Sequence, residues 1–279
     1  MIVSRSEIEQ LSADIRKIVD GQARDLRDNL EGRLSILKND IHILARRLGN
    51  QAVNLQQDKA ALADTLADIS HQLKTPLTAM SVMVDLLEDA PRQKQAEFIA
   101  NIKQGLMQTN WLVNALLKMA KLESDTVAFS RAEISARKLA DLALAPLKIM
   151  LDIKNQTIEM PDDITICCDV NWTAEALTNI IKNASEHSPE GGAIQISAGE
   201  NPICKFISVT DCGDGIPPQR MKDLFRRFEG DGAGIGLPLA RAIMRGQLGD
   251  IDINDGGEGS GAVFTLKFFS GEKIQSVIT

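Results

Sequence analysis

A regular spacing of aliphatic residues constrains how the first half of this chain can fold. Between residues 62 and 87 these residues alternate in steps of four and three, with one proline among them: Leu62, Leu66, Ile69, Leu73, Pro76, Met80, Met83 and Leu87. This spacing places all of them along one seam of a helix that packs against other helices. Pro76 removes one backbone hydrogen bond and is expected to bend that helix.

A second helix with the same spacing follows a turn signal. Asp89-Ala90-Pro91 predicts the end of the first helix, and the seam is then repeated by Ile102, Leu106, Thr109, Val113, Leu116 and Ala120. Two antiparallel helices bury too little apolar surface alone, so two such hairpins are expected to pair as a four-helix bundle in a homodimer. Upstream, residues 5–20 and 34–48 show helical periods, which fit a two-helix signalling unit or a generic coiled coil equally well.

After Ser124, glycine and proline separate short β-branched runs. Strands are predicted at 164–170, 193–198, 206–211, 251–254 and 262–269, and helices at 173–188 and 237–248. The pattern indicates an α+β sandwich, a mixed sheet against helices, following the long-helix bundle. Aromatic residues make up only 4% of the chain, which argues against a β-sandwich or barrel.

Charge and hydropathy exclude some classes of protein. The net charge of −7 disfavours a sequence-independent nucleic-acid binder. No run of 18 apolar residues and no signal peptide is present, so we expect no membrane span in this sequence. The four cysteines lack zinc-site spacing and are expected to be reduced, as in the cytosol.

His71 is the first candidate for chemistry. It falls at the most exposed position of the heptad, Thr75 lies one turn further on the same face, and Pro76 loosens the helix just beyond. A neutral imidazole on an exposed helix is a competent nucleophile toward a phosphoryl group. From its position alone, a solvated surface histidine is an equal alternative.

Two segments suit the base of a nucleotide and a metal ion. Asp211 follows a predicted strand and precedes Gly213 and Gly215, so its carboxylate can accept from an exocyclic amine while the glycines let the backbone approach a flat ring. Asn179 and Asn183 lie one turn apart on a helix, and amide oxygens suit Mg²⁺ that already carries phosphate oxygens. Each pattern is weak alone, because turns and helix surfaces often show it.

A third segment suits phosphate. Gly232, Gly234 and Gly236 open the predicted helix that runs to Leu248, and free N–H groups at a helix N-terminus bind phosphate oxygens. The spacing matches neither the dinucleotide-binding fingerprint nor the P-loop.

Taken in order, these motifs resemble those of sensor histidine kinases. The series is His-x-x-x-Thr-Pro, Asn-x-x-x-Asn, Asp-x-Gly-x-Gly, Phe-x-x-Phe and Gly-x-Gly-x-Gly, and the resemblance extends from Ala60 to Phe269. It implies a dimerisation and histidine-phosphotransfer hairpin followed by an ATP-binding domain of the gyrase and histidine-kinase superfamily. The segment 5–50 is similar to HAMP linkers, with Glu31-Gly32-Arg33-Leu34 at the start of its second helix.

The resemblance implies roles in the hairpin. His71 would be the phosphoacceptor, and Thr75 would orient the water that hydrolyses the phosphorylated response regulator. The family usually has Glu or Asp directly after the histidine, where this chain has Gln72. An amide oxygen can fix the tautomer of the imidazole but is a poor base, so slow autophosphorylation is expected.

The resemblance also implies an ATP·Mg²⁺ site. Asn183 would hold the metal with Asn179 nearby, Asp211 would bind the adenine amine, and Phe225 and Phe228 would anchor a very short lid. Glu186 stands where relatives often have Lys, so His187 or Arg227 is expected to supply the cation. The full nucleotide set is Asn179, Asn183, His187, Asp211, Gly213, Gly215, Phe225, Arg227, Phe228, Gly232, Gly234, Ile235, Gly236 and Leu237.

These expectations together describe a kinase that phosphorylates itself on His71 and passes the group to an aspartate of a response regulator acting in trans. Two alternatives remain open: a regulator phosphatase that depends on Thr75, and a non-catalytic dimeric scaffold that binds nucleotide. The expected domains are a HAMP-like segment at 1–56, the phosphotransfer hairpin at 57–125, the ATP-binding domain at 126–271 and a tail at 272–279. The expected location is the cytoplasmic face of a membrane, with anchoring through a segment absent from this sequence.

Overall fold

The computed structural model describes residues 12–13, 33–88, 90–124, 126–160, 162–221, 223–225, 234–256 and 261–269. The chain divides into two units, Met1–Asp68 and Ile69–Thr279. The predictions for the tail at 272–279 and for Arg227, Phe228 and Gly232, and that for the helix at 5–20 except at residues 12–13, lie outside the described residues.

Helix α1 is continuous from Arg33 to Glu88, with Pro76 inside it. It therefore runs through the predicted domain boundary between residues 56 and 57 without a break. Within the first unit, several of its large apolar side chains are 41% to 63% exposed: Ile43, Leu44, Leu48, Val53, Leu55 and Leu66. A helix with so many exposed apolar residues is typical of one that pairs with another helix.

The second unit begins with the predicted hairpin. Helix α1 ends at Glu88 and helix α2 spans Arg92–Glu123, so the turn signal at Asp89–Pro91 is confirmed. The two helices approach closely at Gly105, where a Cβ atom would lie 2.8 Å from Cγ of Met80. Further along α2, Leu112, Ala115 and Met119 are buried in the same core as the domain that follows.

The rest of the unit is a five-stranded sheet with a separate two-stranded ribbon. The five strands lie in the order β2-β4-β5-β7-β6, where β2 and β4 are parallel and the other neighbours antiparallel. Their bounds are Thr157–Glu159 (β2), Ala193–Glu200 (β4), Cys204–Thr210 (β5), Gly249–Asp255 (β6) and Ala262–Phe269 (β7). Strands Arg131–Ser135 (β1) and Thr165–Asp169 (β3) form the antiparallel ribbon.

The described helices after the hairpin are Ala136–Leu144 (α3), Lys148–Ile153 (α4), Val170–His187 (α5), Pro218–Met221 (α6) and Gly236–Gly246 (α7), with a 3₁₀ turn at Ala145–Leu147. Of these, α5 and α7 pack against the sheet, and α3 packs against α5. Strand β7 alternates strictly between buried and half-buried residues, and its fully buried Phe264 belongs to the same hydrophobic core as Ile180 and Ile243. The predicted α+β sandwich after a long-helix hairpin is thus confirmed.

The cysteines and the hydropathy agree with this fold. Burial raises the pKa of the Cys168 thiol, so Cys168 stays protonated in the core. All four cysteines are free. Of the helices in the described ranges, none is both long enough and apolar enough to cross a bilayer.

A carboxylate fixes the end of α7 to the edge strand β6. Arg241 donates through Nε to Oδ1 of Asp250 at 2.9 Å, Arg245 does the same at 3.3 Å, and the N–H of Ile251 donates to Oδ1 at 2.8 Å. Burial alone would raise the pKa of Asp250, but the hydrogen bonds from Arg241, Ile251 and Arg245 outweigh it and lower the pKa below 3.8. The ionised form of Asp250 therefore stabilises the fold.

We predict that Asp250→Asn lowers the free energy of unfolding at pH 7 by about 1 kcal/mol. Since the pKa is lower in the folded state, this contribution is complete above 3.8 and disappears as the pH falls through the folded-state pKa. The difference between wild type and variant should therefore shrink from pH 7 to pH 3 in urea unfolding. Asp141→Asn, at an exposed position of α3, is the control. An equal difference at both pH values would contradict the prediction.

Candidate nucleotide and phosphoacceptor sites

Helix α5 carries the two candidate asparagines and is fixed at its start by a cap. The Asp169 carboxylate accepts from the N–H of Trp172 at 3.2 Å, which satisfies one of the free donors of the first turn. Leu177, Ile180 and Ile181 form the stripe that α5 buries in the core. The burial of that stripe sets which way the remaining faces of the helix point.

The two asparagines have different surroundings. Asn179 is only 7% exposed, donates through Nδ2 to the carbonyl of Glu175 at 3.0 Å, and lies against Gly236. Asn183 is half-buried, and its amide makes no hydrogen bond to any residue that the structure describes. Asn183 is thus the one available to a ligand, whereas Asn179 packs between α5 and the glycine segment.

Asp211 begins the candidate adenine turn directly after β5 and is only 4% exposed. Its Oδ1 accepts from the N–H groups of Gly213 and Ala262, both at 3.0 Å. The same residue is bound through its backbone, because Gly261 N donates to the Asp211 carbonyl at 3.0 Å. Two donors on one oxygen orient the carboxylate, and no hydrogen bond from a described residue to Oδ2 is seen, so Oδ2 is the oxygen that could accept from an adenine amine.

The turn rests on the C-terminal end of α5. A Cβ atom at Gly213 would lie 2.5 Å from the carbonyl oxygen of His187, so only glycine fits there. The N–H of Cys212 donates to Oγ of Ser188 at 3.3 Å. Gly215 has a φ of +75°, a backbone conformation that favours glycine. His187, the last residue of α5, is exposed beside this contact.

The candidate phosphate segment meets α5 about two turns earlier. Gly234 has a φ of +61°, and Gly236 opens helix α7 with no side-chain cap on its first turn. Ile235 is fully buried and Leu237 is 8% exposed, so only their backbone N–H groups are available to phosphate oxygens. Asn179 and His187 are eight residues apart, roughly 12 Å along the helix. One helix therefore spaces the adenine turn from the phosphate segment.

Phe225 marks the start of the predicted lid. The Arg241 guanidinium lies over its ring, 4.3 Å from the centroid. Because Asp250 also holds Arg241, the ring is packed against a fixed cation.

His71 is exposed on helix α1, as the heptad predicted, and Gln72 is half-buried. Thr75 lies one turn on, where its hydroxyl donates to the backbone carbonyl of His71 at 3.2 Å. This bond competes with the helical hydrogen bond from the Thr75 N–H to the same carbonyl. The next carbonyl, that of Gln72, has no helical donor because residue 76 is proline. His71 thus stands on a locally weakened and accessible stretch of helix.

Helix α2 of the hairpin also contacts α5. Lys118 forms an ion pair with Glu175 at 2.5 Å, and Lys182 lies 4.7 Å from the ring centroid of Trp111. Trp111 and Trp172 are packing residues, as predicted, the latter in an edge contact with Phe129.

No group of three or more His, Cys, Asp or Glu side chains that could hold a metal occurs among the described residues. The donor set instead fits Mg²⁺ that arrives on a nucleotide, because such an ion needs only one or two protein oxygens. Asn183 can supply one of them.

Family comparisons agree with this arrangement. Residues 61–125 match the family model of the His Kinase A (phospho-acceptor) domain. Residues 168–271 match that of the histidine kinase-, DNA gyrase B-, and HSP90-like ATPases. The chain belongs to the sensor histidine kinases of two-component systems. His71 lies within the first match, and Asn183, Asp211 and Gly234 lie within the second.

Individual relatives carry the same family name. The chain is 24% identical to the signal transduction histidine-protein kinase BaeS of Escherichia coli over 253 residues, which is 86% of this chain and 54% of BaeS. It is 31% identical to the sensor histidine kinase WalK of Bacillus subtilis over 223 residues, 73% of this chain and 36% of WalK. This sensor kinase chain therefore spans about half the length of BaeS and about a third of the length of WalK.

Among solved structures, the histidine kinase ThkA in complex with the response regulator protein TrrA has the same fold. The TM-score is 0.58 at 18% identity, and the match covers 78% of this chain and 65% of that one.

Gly261 is a site residue that the sequence analysis missed. A Cβ atom there would overlap Oδ1 of Asp211 and lie 2.6 Å from the N–H of Gly213. Its contact partners are about 50 residues away in sequence, so no local pattern marks it. Its only sequence signal is a glycine directly before the β7 strand pattern.

We predict that Gly261→Ala weakens ADP binding at least tenfold, because the added methyl group displaces the Asp211 carboxylate. Titration calorimetry with ADP measures the change. Gly49→Ala adds the same group where nothing lies within 4 Å and should leave the ADP affinity unchanged. If Gly261→Ala binds ADP as tightly as wild type while remaining folded, Asp211 does not position the base.

Proposed function

We propose that this chain binds ATP·Mg²⁺, transfers the γ-phosphoryl group to His71, and passes it to an aspartate of a response regulator. The observation that carries the proposal is an exposed histidine beside a proline on one helix, in the same chain as an oriented, buried carboxylate at a glycine turn. In the transfer the bond from γ-phosphorus to the bridging oxygen breaks, a bond to an imidazole nitrogen forms, and ADP leaves.

Each part of the ATP site has a distinct task in this proposal. Asp211 accepts from the adenine amine, and the N–H groups at the start of α7 bind phosphate oxygens. Asn183 holds Mg²⁺, which when bound neutralises charge on the phosphates. Phosphoryl transfer of this kind depends mainly on positioning and charge stabilisation, so the protein has little covalent chemistry to perform beyond presenting His71.

Glu186 is exposed at the end of α5, 3.7 Å from Lys182, and places a negative charge where the family often has Lys. The sequence analysis named His187 for that cation, but exposed His187 lies beside the adenine turn, roughly 12 Å along α5 from Asn179 at the phosphate segment. Arg227 remains a sequence prediction for the same task.

The proposed assembly is a homodimer built on the hairpin. The apolar seam around Met80 opens into a groove of about 380 Å³ lined by Leu77, Val84, Ile102 and Leu106 among others. Leu77 and Leu106 are 48% and 56% exposed. A second hairpin would bury these residues as a four-helix bundle. The exposed apolar residues of the first unit fit a HAMP-like or coiled-coil segment that also pairs with a partner helix.

The response regulator acts in trans in this proposal, as the ThkA structure with TrrA suggests. Because BaeS and WalK are longer sensor kinases, we also propose that this kinase works at the cytoplasmic face of a membrane. Thr75, exposed one turn from His71, favours phosphatase activity toward the regulator as a second function.

The first test uses γ-labelled ATP and Mg²⁺. Wild type should acquire acid-labile, alkali-stable label, and His71→Gln should acquire none. His42→Gln, which removes one of the other two histidines, should be labelled like wild type. Equal label on His71→Gln would exclude His71 as the acceptor. Absence of label from wild type that still binds ATP would favour the phosphatase or scaffold alternatives.

The second test addresses Gln72. Gln72→Glu should autophosphorylate faster than wild type, by up to about 100-fold, because a carboxylate is a better base than an amide. Gln72→Met, which has no oxygen to fix the tautomer of the imidazole, should be slower than wild type. The initial rate of labelling at saturating ATP measures both. A rate for Gln72→Glu equal to or below that of wild type would contradict this role.

A further inference from the structure

Gln156 is a buried polar residue outside the predicted site. It lies between α4 and β2, and it is 8% exposed. Its Nε2 donates to the carbonyls of Ser185 at 3.1 Å, Ser188 at 3.2 Å and Pro189 at 3.1 Å. Its Oε1 accepts from Oγ of Ser185 at 2.5 Å. Both ends of this one amide are thus bound to the C-terminal end of α5.

The end of α5 lacks the usual cap. The last carbonyls of a helix have no N–H partners within the helix. A glycine directly after the helix often turns the chain so that backbone N–H groups bind these carbonyls. Here the next residue is Ser188 in an extended conformation. Gln156 takes the place of that cap, together with Lys154, whose Nζ donates to the Ser185 carbonyl at 2.6 Å. The positive charge of Lys154 also suits the negative end of the helix dipole.

The same residues support the adenine turn. Ser188 is bound on both sides, because its carbonyl accepts from Gln156 and its Oγ accepts from the N–H of Cys212 at 3.3 Å. The carbonyl of His187 fills the space where Gly213 has no side chain. A shift of residues 187 and 188 would therefore move the backbone next to Asp211.

We propose that Gln156 is a positioning residue for the nucleotide, acting through Ser188 on the turn that begins at Asp211. This inference rests on the proposed function, because it assumes that the turn binds adenine. Gln156 does not itself contact the nucleotide. It fixes the end of α5 so that the carboxylate of Asp211 and the glycines after it keep the geometry that a flat base requires.

The base end and the phosphate end of the proposed site should respond differently to substitution. Asn183 lies one turn before the end of α5, and its contribution requires Mg²⁺. Loss of the Gln156 contacts should lower the affinity for ADP without metal and the affinity for ATP with Mg²⁺ by the same factor. Loss of the Asn183 amide should weaken only the nucleotide bound with Mg²⁺. A purely structural role for Gln156 would lower stability and change neither affinity.

The test measures ADP affinity without Mg²⁺ and ATP affinity with Mg²⁺ by titration calorimetry on the full chain, for wild type and Gln156→Met. Methionine keeps the length of the side chain and removes its hydrogen bonds. We expect both affinities to fall about tenfold. In autophosphorylation, KM for ATP should rise and kcat should stay within about twofold, because the chemical step is not touched.

Two further variants complete the test. Gln195→Met makes the same change at an exposed glutamine with one side-chain hydrogen bond, to Glu159, and should match wild type. Ser188→Ala keeps the carbonyl that Gln156 binds but removes the hydroxyl that accepts from the N–H of Cys212. It should therefore lower the affinity for ADP as Gln156→Met does. The double variant, Gln156→Met with Ser188→Ala, should lower the ADP affinity by a factor smaller than the product of the two single-variant factors.

The outcomes separate the two levels of inference. Wild type that binds neither nucleotide would overturn the proposed function and this inference with it. Wild-type binding together with unchanged ADP affinity in a folded Gln156→Met would overturn only the role of Gln156. If Gln156→Met does not fold, the ADP affinity of Ser188→Ala tests the proposal instead. An unchanged ADP affinity in Ser188→Ala would overturn the proposed action of Gln156 through Ser188.

Discussion

The burial of one face of helix α5 in the core positions the two described ends of the proposed nucleotide site. Leu177, Ile180 and Ile181 are fully buried, and burying three such side chains contributes roughly 5 to 9 kcal/mol before entropy is counted. With that face fixed, the remaining faces of α5 have no rotational freedom. The phosphate segment packs at Asn179 and the adenine turn packs at His187, so the site is built along a rigid edge.

Glycine is required on that edge because backbone meets backbone there. Gly213 faces the His187 carbonyl and Gly261 faces the Asp211 carboxylate, both without space for a methyl group. The contact between Asp211 Oδ1 and two N–H groups forms only when both glycines bring the chain this close. The motif Asp-x-Gly-x-Gly is therefore incomplete as a description of the candidate site, since Gly261, directly before strand β7, is needed to orient the aspartate.

Sequence reasoning succeeded where a period extends over several turns or residues. The heptad between 62 and 87 predicted the hairpin and the exposure of His71, and the alternation of β7 gave its bounds, Ala262–Phe269, to the residue. The sequence patterns predicted no helix or strand between residues 126 and 163, where β2 has three residues and α4 has six. Helix α3 hides its period because three of its four buried residues are alanines. Elements this short are defined by partners distant in sequence, as with β2 on β4.

The pair Asn179 and Asn183 shows why spacing alone does not give function. The two amides share a helix face and were predicted to share a task, yet Asn179 is committed to the Glu175 carbonyl and to Gly236. A glycine at 236 permits that contact, with a Cβ position only 3.3 Å from Oδ1 of Asn179. Asn179 thereby sets the distance between α5 and the candidate phosphate segment, and Asn183 is the residue that we propose to bind the ligand. In the proposed site, positioning and binding are thus divided between two identical side chains that differ only in their surroundings.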